Sequence, residues 1–137
     1  MTHKSILIIF TRNPVLGKVK TRLAKTVGNQ TALDIYLFLL QKTKEVTQNL
    51  FYDKIVFYSE EILENDLWDT ANYKKDLQVG KDLGAKMNHA FETYFGNKYD
   101  KVVLIGSDLY DLEVSHIEEA FEKLEKKDVV IGPAKSL

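Results

Sequence analysis

The fold of this chain is decided near its start, where residues 6–22 read Ile-Leu-Ile-Ile-Phe-Thr-Arg-Asn-Pro-Val-Leu-Gly-Lys-Val-Lys-Thr-Arg. The opening run of bulky apolar residues is typical of a central strand in a parallel sheet. The loop after it contains Pro14 and Gly17, and its cations are Arg12, Lys18, Lys20 and Arg22. Because open α/β sheets bind ligands at the carboxyl ends of their strands, this loop predicts a phosphate or diphosphate site.

The distribution of charge supports this interpretation over a merely solvated basic loop. Six Lys and Arg residues precede the first acidic residue, Asp34. The net charge of the whole chain is nevertheless −1, which argues against bulk attraction to nucleic acid or to an anionic membrane. Positive charge is concentrated rather than abundant, and this indicates a small anionic ligand.

Length and composition predict one folded domain spanning residues 1–137. Of the 137 residues, 45% are hydrophobic, so the chain can form a core. There is no cysteine, which excludes disulfides, thiolate catalysis and cysteine-ligated zinc. The first apolar run is too short for a signal peptide, and no run is long enough to span a membrane. We therefore expect a soluble cytoplasmic protein.

Strand and helix patterns alternate along the chain, which predicts a Rossmann-like three-layer α/β/α fold with a mainly parallel sheet. A wide apolar stripe predicts a buried helix over residues 30–50, and a helical pattern also begins at Leu83 and ends at Gly96. Ser115 and Glu118 are spaced as a capping box before a third helix. The remaining predicted elements are strands at 55–58, 75–79, 102–105 and 128–131 and a short surface helix at 62–68.

Two further segments are candidates for the same site. Asp108 and Asp111 follow a buried strand and are close enough to converge on one divalent cation, Mg²⁺ or Mn²⁺, together with substrate phosphates. Alternatively, these aspartates only cap a turn and start the next helix. In the second segment, Gln78 suits a base or ribose edge and Gly80 allows close backbone approach. Asp82 is there either a ligand contact or a helix cap.

Four ordered motifs then indicate a family. They are Pro14-x-x-Gly17-x-Val19-Lys20-Thr21-Arg22-Leu23, Gly80-x-Asp82-Leu83-Gly84-x-Lys86-Met87, Leu104-Ile105-Gly106-Ser107-Asp108-x-x-Asp111-Leu112 and Asp128-Val129-Val130-Ile131-Gly132-Pro133-Ala134. The chain resembles the bacterial glycosyltransferase-A-like family known as radical-SAM/selenodomain-associated transferases. The resemblance covers nearly the whole chain and implies a nucleotide-diphospho-sugar transferase fold. It also implies that Lys18, Lys20 and Arg22 contact nucleotide phosphates and that Asp108 is the catalytic, metal-binding residue.

The sequence departs from this family at two places. Leu109-Tyr110 stands where the family usually has Cys-Pro, with both flanking aspartates retained. The chain also ends at Leu137, whereas the family continues into an Asp-Gly-Gly-Tyr-Tyr motif that helps to form the acceptor side. We therefore expect a truncated member that keeps its nucleotide half. Uncovered apolar surface near residues 129–131 would then favour a homodimer.

Three functions remain open from the sequence. The first is a glycosyltransferase-like protein that binds a nucleotide-diphospho-sugar through the basic loop and a divalent metal. The second is a nucleotidylyltransferase, which would hold a nucleoside triphosphate in the same loop and release pyrophosphate. The third is a non-catalytic remnant that binds nucleotide or only folds.

Overall fold

The structure, a computed structural model, describes residues 4–94, 99–109, 111–123 and 128–131, the last range by its backbone alone. The elements of these residues follow in the order β1 (Ser5–Thr11), α1 (Thr21–Val27), α2 (Asn29–Thr47), β2 (Asp53–Tyr58), β3 (Lys74–Leu77), α3 (Leu83–Tyr94), β4 (Lys101–Gly106), α4 (Val114–Lys123) and β5 (Asp128–Ile131). The predicted alternation of strands and helices is confirmed. Gly96, Gly132 and Pro133, which were expected to end elements, lie outside the described residues.

The apolar run at the start of the chain is the central strand of the sheet. The strand order is β3-β2-β1-β4-β5, and each neighbouring pair is parallel. Ile8 of β1 is in register with Ile55 of β2 on one side and with Leu104 of β4 on the other. A parallel central strand is covered on both faces, which is why its sequence is a continuous apolar run rather than an alternating one.

Successive residues of β1 supply two separate cores. Leu7 and Ile9 pack with residues of α2 and α4 on one face, whereas Ile6, Ile8 and Phe10 pack with α3 on the other. Burying one such side chain fully contributes about 1.5–3 kcal/mol. The predicted three-layer α/β/α arrangement is therefore confirmed.

The expected surface helix at residues 62–68 is wrong. This segment consists of bends and irregular backbone, and its side chains hold it in that form. The Asp66 carboxylate accepts hydrogen bonds from the Trp68 backbone amide at 3.1 Å and from Lys75 Nζ at 2.9 Å. Trp68 itself is only 1% exposed. Burial of one large ring and local carboxylate–backbone bonding override the weak helical pattern.

The expected capping box at Ser115 and Glu118 is also wrong. Helix α4 begins at Val114, so Ser115 lies inside the helix. His116 takes the role assigned to Glu118, because its Nδ1 accepts a hydrogen bond from the Glu113 backbone amide at 3.2 Å. Glu113 is therefore the residue that precedes the helix, and the side chain three residues after it bonds its amide. This is half of a capping box, two residues nearer the N-terminus than the predicted one.

The two helices between β1 and β2 differ from expectation in their burial. No element was expected at α1, which buries no side chain and so leaves no apolar period in the sequence. The wide stripe expected on α2 is narrower in the structure, since Leu37 and Phe38 are 44% and 60% exposed. Among the described residues, no helix combines the length and the apolar character needed to cross a membrane.

Candidate functional site

The main candidate site is a cavity of about 670 Å³ at the carboxyl edge of the sheet. From β1 the chain reaches β2 through α2 on one face, whereas β3 is joined to β4 by α3 on the other face. The connections that follow β1 and β3 therefore cross opposite faces of the sheet, and the cavity lies beside the carboxyl ends of β1 and β4, the usual ligand position in open α/β sheets. The cavity is lined by Phe10, Thr11, Arg12, Lys18, Lys20, Thr21, Tyr36, Ser59, Glu60, Gln78, Leu83, Lys86, Gly106, Ser107 and Asp108.

The ionic side chains of this cavity, called here the cationic cavity, are predominantly positive. Its cations are Arg12, Lys18, Lys20 and Lys86, and its acids are Glu60 and Asp108. Several cations that converge on one concave wall attract an anion more strongly than the same charges spread over open surface. Three of the four cations predicted at this edge, Arg12, Lys18 and Lys20, thus line one cavity.

Backbone conformation directs the first two lysines into the cavity. Gly17 has φ of 82° in a turn closed by a hydrogen bond from the Lys18 amide to the Val15 carbonyl at 3.0 Å. Lys20, the residue before α1, has φ of 50° and ψ of 46°. A non-glycine residue in this left-handed region costs of the order of 1 kcal/mol or more, and such strain clusters at ligand-binding loops.

Lys20 and Asp108 form an ion pair between the two halves of the cavity wall. Their Nζ and Oδ2 atoms are 3.4 Å apart, and the two side chains are 6% and 22% exposed. The pair joins the loop after β1 to the loop after β4. It leaves the ammonium and the carboxylate facing the same enclosed space.

A buried cluster of hydroxyl groups supports the ends of β1 and β4 beneath the cavity. The Tyr36 hydroxyl donates to the Arg12 carbonyl at 2.9 Å and accepts from the Arg12 amide at 2.8 Å. It also lies 3.1 Å from Ser107 Oγ, which donates to Thr11 Oγ1 at 3.0 Å. Burial raises the pKa of the Tyr36 hydroxyl above its ordinary value, so this hydroxyl stays protonated at neutral pH.

Two amide side chains join the neighbouring loops to β1. Asn13 is 4% exposed; its Oδ1 accepts from the Glu60 and Glu61 amides, and its Nδ2 donates to the Glu61 carbonyl. Gln78 Nε2 donates to the Thr11 carbonyl at 3.0 Å and to the Phe57 carbonyl at 2.9 Å. Both hydrogens of the Gln78 amide are therefore used within the protein, and only its carbonyl oxygen can serve a ligand.

The structure brings five of the ten predicted site residues into the cavity wall, namely Arg12, Lys18, Lys20, Gln78 and Asp108. Gly17 shapes the turn that precedes them. The other four, Arg22, Gly80, Asp82 and Asp111, are exposed and do not line the cavity.

Gly80 and Asp82 serve the chain itself. A Cβ added to Gly80 would lie 2.7 Å from the Lys86 backbone nitrogen, and Gly80 has φ of 147°. Asp82 Oδ1 accepts a hydrogen bond from the Ala85 amide at 2.8 Å. Asp82 therefore caps the start of α3, which is the structural interpretation that the sequence left open.

The donor set for a divalent cation at this edge is small. The wall contains the carboxylates of Asp108 and Glu60; of the two predicted metal ligands, Asp108 is in the wall and Asp111 lies outside it. Within residues 4–94, 99–109 and 111–123, no group of three or more His, Cys, Asp or Glu side chains could hold a metal ion. One carboxylate is still compatible with Mg²⁺, which often binds proteins through one or two carboxylates while substrate phosphates and water complete its shell.

Sequence reasoning did not single out several wall and support residues. Tyr36 fits an ordinary core position on an apolar helix face, and Lys86 lies in a helix whose orientation was unknown. Asn13 had one available signal, since Asn before Pro favours a turn whose side chain bonds nearby backbone. The partners of Tyr36 include Ser107, 71 residues away in the chain, and no local pattern predicts such a contact.

Comparison with known proteins places this edge in context. A family model described as an uncharacterized protein conserved in bacteria (DUF2064) matches residues 37–136. The chain belongs to the DUF2064 family. No curated protein sequence matches it.

A solved structure has the same fold as this DUF2064 protein. It is a crystal structure from Desulfovibrio desulfuricans G20, described as a "putative nucleotide-diphospho-sugar transferase". The TM-score is 0.76 at 31% sequence identity, over 88% of this chain and 54% of that one. The chain thus spans about half the length of the Desulfovibrio protein. The expected fold type, a parallel α/β sheet of the nucleotide-diphospho-sugar transferase kind, is confirmed.

Proposed function

We propose that this DUF2064 protein binds a nucleotide-diphospho-sugar in the cationic cavity and acts as a glycosyltransferase-like protein. The observation that carries the proposal is the convergence of Arg12, Lys18, Lys20 and Lys86 on one cavity at the carboxyl ends of the neighbouring strands β1 and β4. A diphosphate needs several donors at a concave edge, and lysines bind it as point charges. The description of the Desulfovibrio structure supports the same ligand class.

Each wall residue has a distinct role in this proposal. Lys18 and Lys20 neutralise the diphosphate, and the loop after β4 holds Asp108 beside it. Transfer of a sugar leaves negative charge on the departing diphosphate, so cations already positioned there stabilise the transition state more than the ground state. The buried hydroxyl cluster around Tyr36 keeps the two loops in register while this charge develops.

A divalent cation belongs to the proposal through Asp108. Mg²⁺ or Mn²⁺ bound there with the diphosphate would supply further charge neutralisation of the leaving group. The residues present fit such an ion, because the Asp108 carboxylate faces the cavity and is paired with Lys20 through one oxygen. Asp111 is exposed, and any contribution from it would be indirect.

A thermal-shift panel tests the function. Nucleoside diphosphates, their sugar derivatives and nucleoside triphosphates are each added with Mn²⁺ and with chelator. A ligand present at about 100 times its Kd stabilises the fold by about 2.7 kcal/mol. We expect a shift for at least one nucleoside diphosphate sugar, larger with Mn²⁺. No shift with any diphosphate would contradict the proposal, and a shift with nucleoside triphosphates alone would favour a nucleotidylyltransferase instead.

A further inference from the structure

A second cavity, of about 340 Å³, lies beside the first and has a different chemical character. Its apolar wall is formed by Pro14, Leu37, Leu40, Leu63, Leu67 and Trp68. It is called here the apolar cavity. Thr11 and Arg12 line both cavities, so a group held in one would lie next to a group held in the other.

The polar groups inside the apolar cavity are largely used within the protein. Tyr58 and Asp66 both contribute to the wall, and the Tyr58 hydroxyl donates to Asp66 Oδ2 at 2.5 Å. Lys75 Nζ also bonds Asp66, at 2.9 Å from Oδ1. The polar groups of Tyr58 and Asp66 therefore already have partners within the protein. Gln41, a further polar residue of the wall, is exposed, and its Nε2 donates to Glu45 Oε2 at 3.2 Å. The Arg12 side chain, exposed at the junction of the two cavities, is the charged group that a ligand meets there.

We propose that the apolar cavity binds a ring or short acyl chain whose polar or anionic end faces Arg12. A cavity of this size is at the small end of ligand sites, and an apolar wall with one charged group at the mouth selects such a molecule. Its role as the acceptor side of the transfer rests on the proposed function, since a transferase must hold donor and acceptor in contact.

The mouth of the cavity offers a matched pair of variants. Leu37 and Phe38 are adjacent on α2 and are 44% and 60% exposed, but only Leu37 lines the cavity. Leu37→Gln puts an amide into the apolar wall without changing charge, and Phe38→Gln makes a similar change outside it. Leu63→Gln makes the same kind of change in the part of the wall that the segment between β2 and β3 contributes. The exposure of Leu37 means that the variant is expected to fold, which a melting curve checks.

The probe is 1-anilinonaphthalene-8-sulfonate, an aromatic anion, titrated by fluorescence. We expect saturation at one probe per chain, binding weakened about ten-fold by Leu37→Gln and Leu63→Gln, and no change in Phe38→Gln. UDP and pyrophosphate are titrated against the same proteins, and Lys20→Ala is expected to weaken those two ligands but not the probe.

Three results would overturn the inference: no saturable probe binding, equal probe binding in Leu37→Gln and the native protein, or a loss of UDP but not pyrophosphate binding in Leu37→Gln. The last result would show that the nucleoside occupies the apolar cavity. If the probe behaves as expected while neither UDP nor pyrophosphate binds, the ligand class of the apolar cavity stands and the proposed function fails.

Discussion

Two glycine-containing loops meet at the ligand edge of the sheet, and they use their residues in opposite ways. In the loop after β1, Gly17 forms a turn and the lysines beyond it end in the cationic cavity. In the loop before α3, Gly80 makes room for the backbone at Lys86 and Asp82 bonds the Ala85 amide. The charged side chains of the first loop line the cationic cavity, whereas the polar groups of the second loop stabilise the first turn of α3.

The comparison shows why a motif of glycines and charges is ambiguous in a sequence. Positive φ can be expected at a glycine, but the sequence does not say whether the atom that approaches it belongs to a ligand or to the chain. The hydrogen bonds of the structure distinguish these two cases. Gln78 and Asp82 have donors or acceptors committed to backbone atoms, while Lys18 and Lys20 point their charges into a shared cavity.

The largest effect is expected for Gly80→Ala. The new Cβ would meet backbone atoms at 2.7 and 2.8 Å, and the φ of 147° is unfavourable for alanine. We expect the free energy of unfolding to fall by about 2–4 kcal/mol, measured by urea denaturation. Gly84→Ala is the control, because its Cβ would lie at an ordinary 3.6 Å from Asp82 Oδ1 inside α3. It should be neutral or stabilising by up to about 1 kcal/mol; equal losses in both variants would contradict the packing role of Gly80.

The next effect concerns the charges of the other loop. Lys20→Ala should weaken binding of a nucleoside diphosphate by about 10–100-fold, since a hydrogen bond to a charged group contributes about 1.5–3 kcal/mol. Lys25→Ala removes an exposed lysine of α1 outside the cavity and should change nothing. Asp82→Ala should leave affinity unchanged but lower stability by about 1 kcal/mol through the lost cap. Calorimetric titration checks all three, and equal affinity in Lys20→Ala and Lys25→Ala would remove the distinction between the loops.

A smaller effect is expected where Lys20 and a metal ion compete for the Asp108 carboxylate. Lys20 neutralises this carboxylate across 3.4 Å, so Mn²⁺ alone should bind weakly. Lys20→Met should strengthen Mn²⁺ binding to the ligand-free protein several-fold, because a like charge is removed from beside the ion. Asp108→Asn should abolish that gain, as followed by the electron paramagnetic resonance of free Mn²⁺. Tight Mn²⁺ binding to the native protein without nucleotide would show that the ion pair does not compete.

The smallest effect concerns the hydroxyl cluster under the cationic loop. The pKa of Tyr36 is raised above its ordinary 10.0, chiefly by burial. The folded state thus holds this proton more tightly than the unfolded state, and the resulting stability is complete below about pH 10 and is lost as pH rises toward the folded pKa. Tyr36→Phe should lower the free energy of unfolding by about 1 kcal/mol at pH 8. Above pH 10, the free energy of unfolding should fall less steeply in the variant than in the native protein. An identical decline in both proteins, measured by urea denaturation, would contradict this.

Much of the fold could be predicted from the sequence because its central strands are continuous apolar runs, and that signal is local. Three of the four cations of the cavity were also visible, since Arg12, Lys18 and Lys20 lie in the loop after β1. What could not be predicted depends on contacts between residues far apart in the chain, namely the hydrogen bond between Tyr36 and Ser107 and the two by which Gln78 joins β1 and β2. Helix α1 was missed because it buries nothing.

The central claim, that the loop after β1 and not the loop before α3 holds the diphosphate, is tested most directly by amide chemical-shift mapping. ¹⁵N-labelled protein is titrated with UDP and, separately, with pyrophosphate. We expect both ligands to shift the amides of Lys18, Lys20, Ser107 and Asp108, with those of Gly80 and Asp82 changing little. Shifts concentrated at Gly80 and Asp82, with Lys18 and Lys20 unmoved, would contradict the claim.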